Sequence, residues 1–149
     1  MSDDRLARAR AAAASVEDPE LPGLTIAELG LLRRVEERDG VIAVTLTPSY
    51  TGCPAMAVIG WEVTAAIERA GLGPVTVRTE LAPAWGTAAI SEAGRAKLRA
   101  MGIVPPGERA CPRCGSARVE TLAEFGATAC KALWRCQDCR EPFEAFKTL

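Results

Sequence analysis

A chain of 149 residues, 48% hydrophobic and 25% charged, holds one ordinary domain or one compact domain with a small appendage. No apolar run approaches the roughly 18 residues of a membrane span, and the balance of apolar and charged residues excludes a disordered chain. Zero histidines remove Ser-His-Asp and Cys-His catalysis, mixed Cys/His zinc fingers and Glu-x-x-His iron sites, while a net charge of −1 offers no overall field for a phosphate backbone.

From the amino terminus, Ser2, Asp3 and Asp4 precede Leu6, Ala9, Ala13 and Val16 at helical spacing. This predicts a capped amphipathic helix with Arg5, Arg8 and Arg10 turned outward. The early acidic pair and the modest apolar content argue against a signal or transit peptide and for a cytoplasmic protein. Asp18-Pro19-Glu20-Leu21-Pro22-Gly23 stops that helix and forms a rigid acidic loop, in which Asp18 and Glu20 read on local grounds as solvated carboxylates.

Leu32 to Arg38 and Val41 to Thr47 are predicted strands around an Asp39-Gly40 hairpin turn, with Ile42, Val44 and Leu46 on one face. In Tyr50-Thr51-Gly52-Cys53-Pro54 the second strand gives way to a helix. Met56, Ile59, Val63, Ile67 and Ala70 recur at steps of three and four, marking Pro54 to Gly71 as the main core helix. Cys53 therefore sits at the positive end of a helix dipole, where a thiol ionises more readily and could hold a soft metal or an iron-sulfur intermediate. A small buried thiol filling a corner is the plainer alternative.

Val75 to Thr79 forms a third strand and leads to a loop, Leu81 to Gly86, carrying Trp85. A second helix runs from Ser91 to Met101 with Leu98 and Met101 inward, broken by Val104-Pro105-Pro106-Gly107. Residues 1–104 are expected to make an α+β domain of helices on a three-stranded sheet, with a linker at 105–110 and a small lobe at 111–149. That lobe is too short to fold without a staple.

Cys111-Pro112-Arg113-Cys114-Gly115 and Cys136-Gln137-Asp138-Cys139 supply the staple. Two Cys-x-x-Cys knuckles 21 residues apart turn four sulfurs toward one ion, the pattern of a closed and therefore structural zinc site around a short β-hairpin. A single iron in the same sulfur tetrahedron stays open, as does a pair of disulfides. Cys130, in an extended strand, would share a face with Ala132, Trp134 and Cys136. It reads either as a buried thiol or, if exposed beside Lys131, as a second soft ligand. Six basic residues against five acidic ones in this lobe make a feeble phosphate attractor, so a protein partner is expected in place of nucleic acid.

Asp18-Pro19-Glu20, Thr51-Gly52-Cys53-Pro54 and Pro83-Ala84-Trp85 together resemble the domain of iron-sulfur cluster assembly accessory proteins. Cys111-Pro112-Arg113-Cys114-Gly115-Ser116 and the run from Glu124 to Cys136 resemble the PaaD (PaaJ) family, accessory subunits of bacterial phenylacetyl-CoA epoxidase. The resemblance implies a role in phenylacetate catabolism, a form of aromatic compound degradation, where a multicomponent di-iron oxygenase epoxidises the ring. It implies a non-catalytic accessory or maturation factor that assists iron-sulfur cluster assembly in the reductase component; a structural or docking subunit without cluster transfer is the alternative. The resemblance nominates Cys53 as the working thiol with Asp18 and Glu20 near it, Cys130 as a helper, a transient iron-sulfur cluster as cargo, and the reductase and oxygenase components as partners. Oligomeric state is left open, a homodimer included. Arg140 departs from the pattern, since a glycine commonly follows the second knuckle.

Overall fold

The computed structural model describes residues 2–49 and 52–148. The chain divides into two units, 1–91 and 92–149, each with its own sheet. In the first, α1 (Ser2–Ala14), β1 (Leu32–Arg38), β2 (Val41–Leu46), α2 (Ala55–Arg69) and β3 (Val75–Thr79) follow in order. Asp39 and Gly40 take the positive φ values, 51° and 82°, of a tight hairpin turn, so β1 and β2 pair antiparallel. β2 and β3 are joined through α2 and pair in parallel, which gives the order β1-β2-β3.

Ile42, Val44 and Leu46 of β2 and Ile59, Val63 and Ile67 of α2 are fully buried, as the two periodicities require. α1 packs on α2 and β1, and α2 on β3. The first helix ends at Ala14 and Val16 lies beyond it, its carbonyl accepting the Ile26 N–H. Arg5 does not point outward. It pairs with Glu37 and donates to the Leu72 carbonyl at 2.7 Å, clamping α1 to the hairpin and to the chain after α2. Trp85 is buried, and its Nε1 donates to the Leu29 carbonyl at 2.9 Å.

The second unit holds α3 (Glu92–Ala100), β4 (Ile103–Val104), β5 (Val119–Ala123), β6 (Lys131–Cys136) and β7 (Pro142–Phe146). Its sheet has the order β4-β7-β6-β5: three antiparallel strands in place of the expected simple hairpin, and β4 added parallel to β7. By its contacts α3 groups with this second unit, whereas the sequence placed it before a boundary at 104. The reason is physical: α3 feeds directly into β4, and β4 is a strand of the second sheet. Leu98 is fully buried here, but Met101 is exposed, because the helix has already ended in a turn. Val104, Cys111, Val119, Cys136, Phe143 and Ala145 form the core. No helix among the described residues is long and apolar enough to cross a membrane.

Candidate functional site

The four knuckle sulfurs converge. Those of Cys111, Cys114, Cys136 and Cys139 all lie within 4.8 Å of one another, with Cys111–Cys139 and Cys114–Cys136 each at 3.6 Å. Four sulfurs about 2.3 Å from a central tetrahedral zinc stand about 3.8 Å apart, a spacing close to that of the two 3.6 Å pairs. The two knuckles repeat each other's geometry. Cys111 Sγ accepts the backbone N–H of Arg113 and Cys114, and Cys136 Sγ accepts those of Asp138 and Cys139, all at 3.4 Å. Each turn closes on its first cysteine's carbonyl, from Gly115 at 2.9 Å and from Arg140 at 3.0 Å.

That closure needs a left-handed residue. Gly115 has φ 78° and Arg140 has φ 68°, so the arginine makes the same left-handed turn as the glycine of the first knuckle. Thiols this close do not ionise independently. Cys136 is lowered to about 7, first by the Cys139 N–H and against the cost of burial. Cys114 is pushed up to about 12: the Ser116 N–H acts downward but is outweighed by the Cys136 thiol, burial and the other two sulfurs. Cys139 is also raised, the Glu141 N–H being overcome by burial and by Cys111 and Cys136. A bound cation replaces these protons and turns a repulsive cluster into a ligand set, which makes the cluster a four-cysteine metal-binding site.

In the first unit, Cys53 is partly exposed and directly precedes Pro54, the residue that caps α2; its carbonyl accepts the Met56 N–H at 3.3 Å. Tyr50 and Thr51 of that motif lie outside the described residues. The acidic loop is compact. Asp18 is 8% exposed, which corrects its reading as a solvated carboxylate: it accepts the Glu20 N–H at 2.7 Å, and its own N–H donates to Leu24. Glu20 stays partly exposed. Pro19 of this loop and Val58 of α2 line one cleft of about 370 Å³, so the loop lies alongside the helix that Cys53 opens.

Composition and spacing missed a further feature of this end of the sheet. Thr47 Oγ1 and Arg33 Nη1 are buried without a hydrogen-bond partner among the described residues. Leu32 pairs with Leu46, so both atoms belong to the end of β1-β2 from which the Cys53 connection departs. Cys130 is buried, at 4% exposure, and its Sγ lies 3.0 Å from Thr128 Oγ1. Lys131 does not serve it: the ammonium is buried and pairs with Glu144 at 3.5 Å.

Comparison with known proteins places these features. Residues 6–79 match the profile described as an iron-sulfur cluster assembly protein, and residues 105–147 match a PaaD zinc beta ribbon domain. A protein of Escherichia coli (strain K12) described as a component of a "Putative 1,2-phenylacetyl-CoA epoxidase" is 41% identical over 144 residues, covering 90% of this chain and 87% of its own. A crystal structure of a DUF59 domain of unknown function from Bacillus anthracis superposes with a TM-score of 0.60 at 24% identity, over 65% of this chain and 93% of its own. It shares the fold of the first unit. A solution structure from Mycobacterium tuberculosis, of a protein described as associated with Fe–S complex assembly and repair, is 33% identical over 67% of this chain and 87% of its own, with a TM-score of 0.37.

Proposed function

The chain belongs to the PaaD family of phenylacetyl-CoA epoxidase components, and on that premise we propose that it is a non-catalytic maturation factor that assists iron-sulfur cluster assembly in the reductase component of the epoxidase system. The observation that carries this reading is Cys53: an accessible thiol at the entrance of α2, inside the segment that matches the assembly profile. The positive end of α2 favours negative charge on that sulfur, and a thiolate is a soft ligand for iron.

Asp18 and Glu20 support it from the loop beside α2. Asp18 holds that loop in shape through its backbone contacts, and Glu20 keeps a partly exposed carboxylate. Thr47 Oγ1 and Arg33 Nη1 leave hydrogen-bonding capacity at the same end of the sheet. Cys130, buried against Thr128, takes a packing role in this reading, and cluster handling falls to Cys53 alone.

In the second unit Cys111, Cys114, Cys136 and Cys139 hold zinc. A closed four-thiolate set leaves no position for substrate, so the ion supplies shape and the ribbon serves to dock the epoxidase components. Metal analysis with an absorption spectrum of anaerobically purified protein tests the ion: one zinc and no visible band are expected, and charge-transfer bands of a single iron would reject zinc.

Reconstituting the reductase's cluster with wild-type and Cys53→Ala protein tests the transfer role. The variant is expected to lose most of the stimulation while still co-purifying with the epoxidase components. Equal cluster content with both proteins would reject cluster transfer and leave the docking role.

A further inference from the structure

The four sulfurs of the ribbon are not equivalent. Cys111 and Cys136 are buried, at 2% and 0% exposure, and each accepts two backbone N–H bonds that spread its negative charge. Cys139 is partly buried against the apolar core. Cys114 alone is exposed, and it lies outside that core. A thiolate with open access and few hydrogen bonds is the best nucleophile of such a set, while the cation keeps it deprotonated.

We propose that Cys114 is a modification site for small hydroperoxides, and that its oxidation opens the ribbon. The inference rests on the zinc reading above. The Cys114 thiolate attacks one peroxide oxygen: the S–O bond forms, the O–O bond breaks, and hydroxide leaves. The resulting sulfenic acid stands beside Cys136, whose sulfur is 3.6 Å away. Attack by Cys136 forms the S–S bond and breaks the S–O bond, and a second hydroxide leaves. Two thiolates are oxidised by two electrons to one disulfide, and one hydrogen peroxide is reduced to two hydroxides, which the acid form of the buffer protonates to water.

Two of four ligands are then gone, and a two-sulfur remnant does not retain the ion. The site would couple the fold of the second unit to peroxide, since Cys136 is at once a ligand, a member of β6 and part of the core.

The test uses the full chain carrying Cys53→Ala, so that the non-ligand thiol of the first unit does not compete, loaded with one equivalent of zinc. Limiting hydrogen peroxide is added with dimedone to trap sulfenic acid, and the peptides are mapped by mass spectrometry while a chromogenic chelator records zinc. The adduct is expected on Cys114 at about tenfold or more over each of the other three ligands. Without dimedone, one zinc is expected to appear per peroxide consumed, together with a Cys114–Cys136 disulfide. First modification at Cys111, Cys136 or Cys139, or zinc release from protein with unmodified thiols, would overturn the proposal and leave zinc binding intact. A chain that never takes up one equivalent of zinc would overturn both.

Discussion

Arg140 occupies a backbone position that suits glycine, and the second knuckle closes anyway because the Cys136 carbonyl accepts its N–H. An L-residue in the left-handed region costs roughly 1–2 kcal/mol, part of which glycine gives back through its freer unfolded chain. Arg140→Gly is therefore expected to stabilise the metal-loaded second unit by about 1 kcal/mol. Thermal melting of the loaded protein checks it; an unchanged or lower midpoint would show that the arginine's side chain contributes more than its backbone costs. The four ligand cysteines were legible in the sequence because their spacing alone dictates convergence. Asp18 was not. Its burial comes from a loop that folds back between Val16 and Ile26, a contact that no local pattern announces. Arg5 and Lys131 escaped for the same reason, each being drawn inward by a carboxylate 32 and 13 positions away, Glu37 and Glu144.

Among the elements, β1 and β3 have the bounds their alternation predicts, Leu32–Arg38 and Val75–Thr79, since Asp39-Gly40 and the flanking prolines punctuate them. β4 is different. Two residues carry no periodicity, and Ile103 and Val104 become a strand only because β7 offers a parallel edge. The turn between them and the first knuckle is tied to α3: Arg99 donates to Glu108 and reaches Glu92 at 3.3 Å. The Arg99 guanidinium is the main cause that holds the Glu108 carboxyl below its ordinary value of 4.5, with burial acting against it. A lowered carboxylate pKa adds stability that is complete above the unfolded value and is lost as pH falls through the folded one. The Glu108 side chain is 37% exposed, so solvent screening keeps the effect small. Glu108→Gln is expected to destabilise the second unit slightly near neutrality and to flatten the part of its acid sensitivity that begins below 4.5. The comparison is the difference in melting between variant and wild type across pH, and parallel curves would show that the pair contributes nothing.

At the scale of the whole molecule, the two units draw on different sources of stability. The first has a core of apolar side chains, among them Ile42, Val44 and Leu46 of β2 and Ile59, Val63 and Ile67 of α2. The second has a core into which two metal ligands, Cys111 and Cys136, are themselves built. Chelation is expected to unfold the second unit while the first keeps its helices, because metal-binding free energy in a small ribbon is folding free energy. Two-dimensional amide spectra before and after chelator check this, and loss of dispersion in both units together would show one cooperative fold.

The strand order β4-β7-β6-β5 also sets a timetable. β7 sits inside the sheet yet is synthesised after all three of its companions, so β4 emerges from the ribosome with the neighbour it needs still unmade. The first unit carries no such debt: its strands meet as soon as β3 has been translated. A nascent chain can thus present a finished amino-terminal half while its carboxy-terminal half waits, thiols open, for Pro142–Phe146 to arrive.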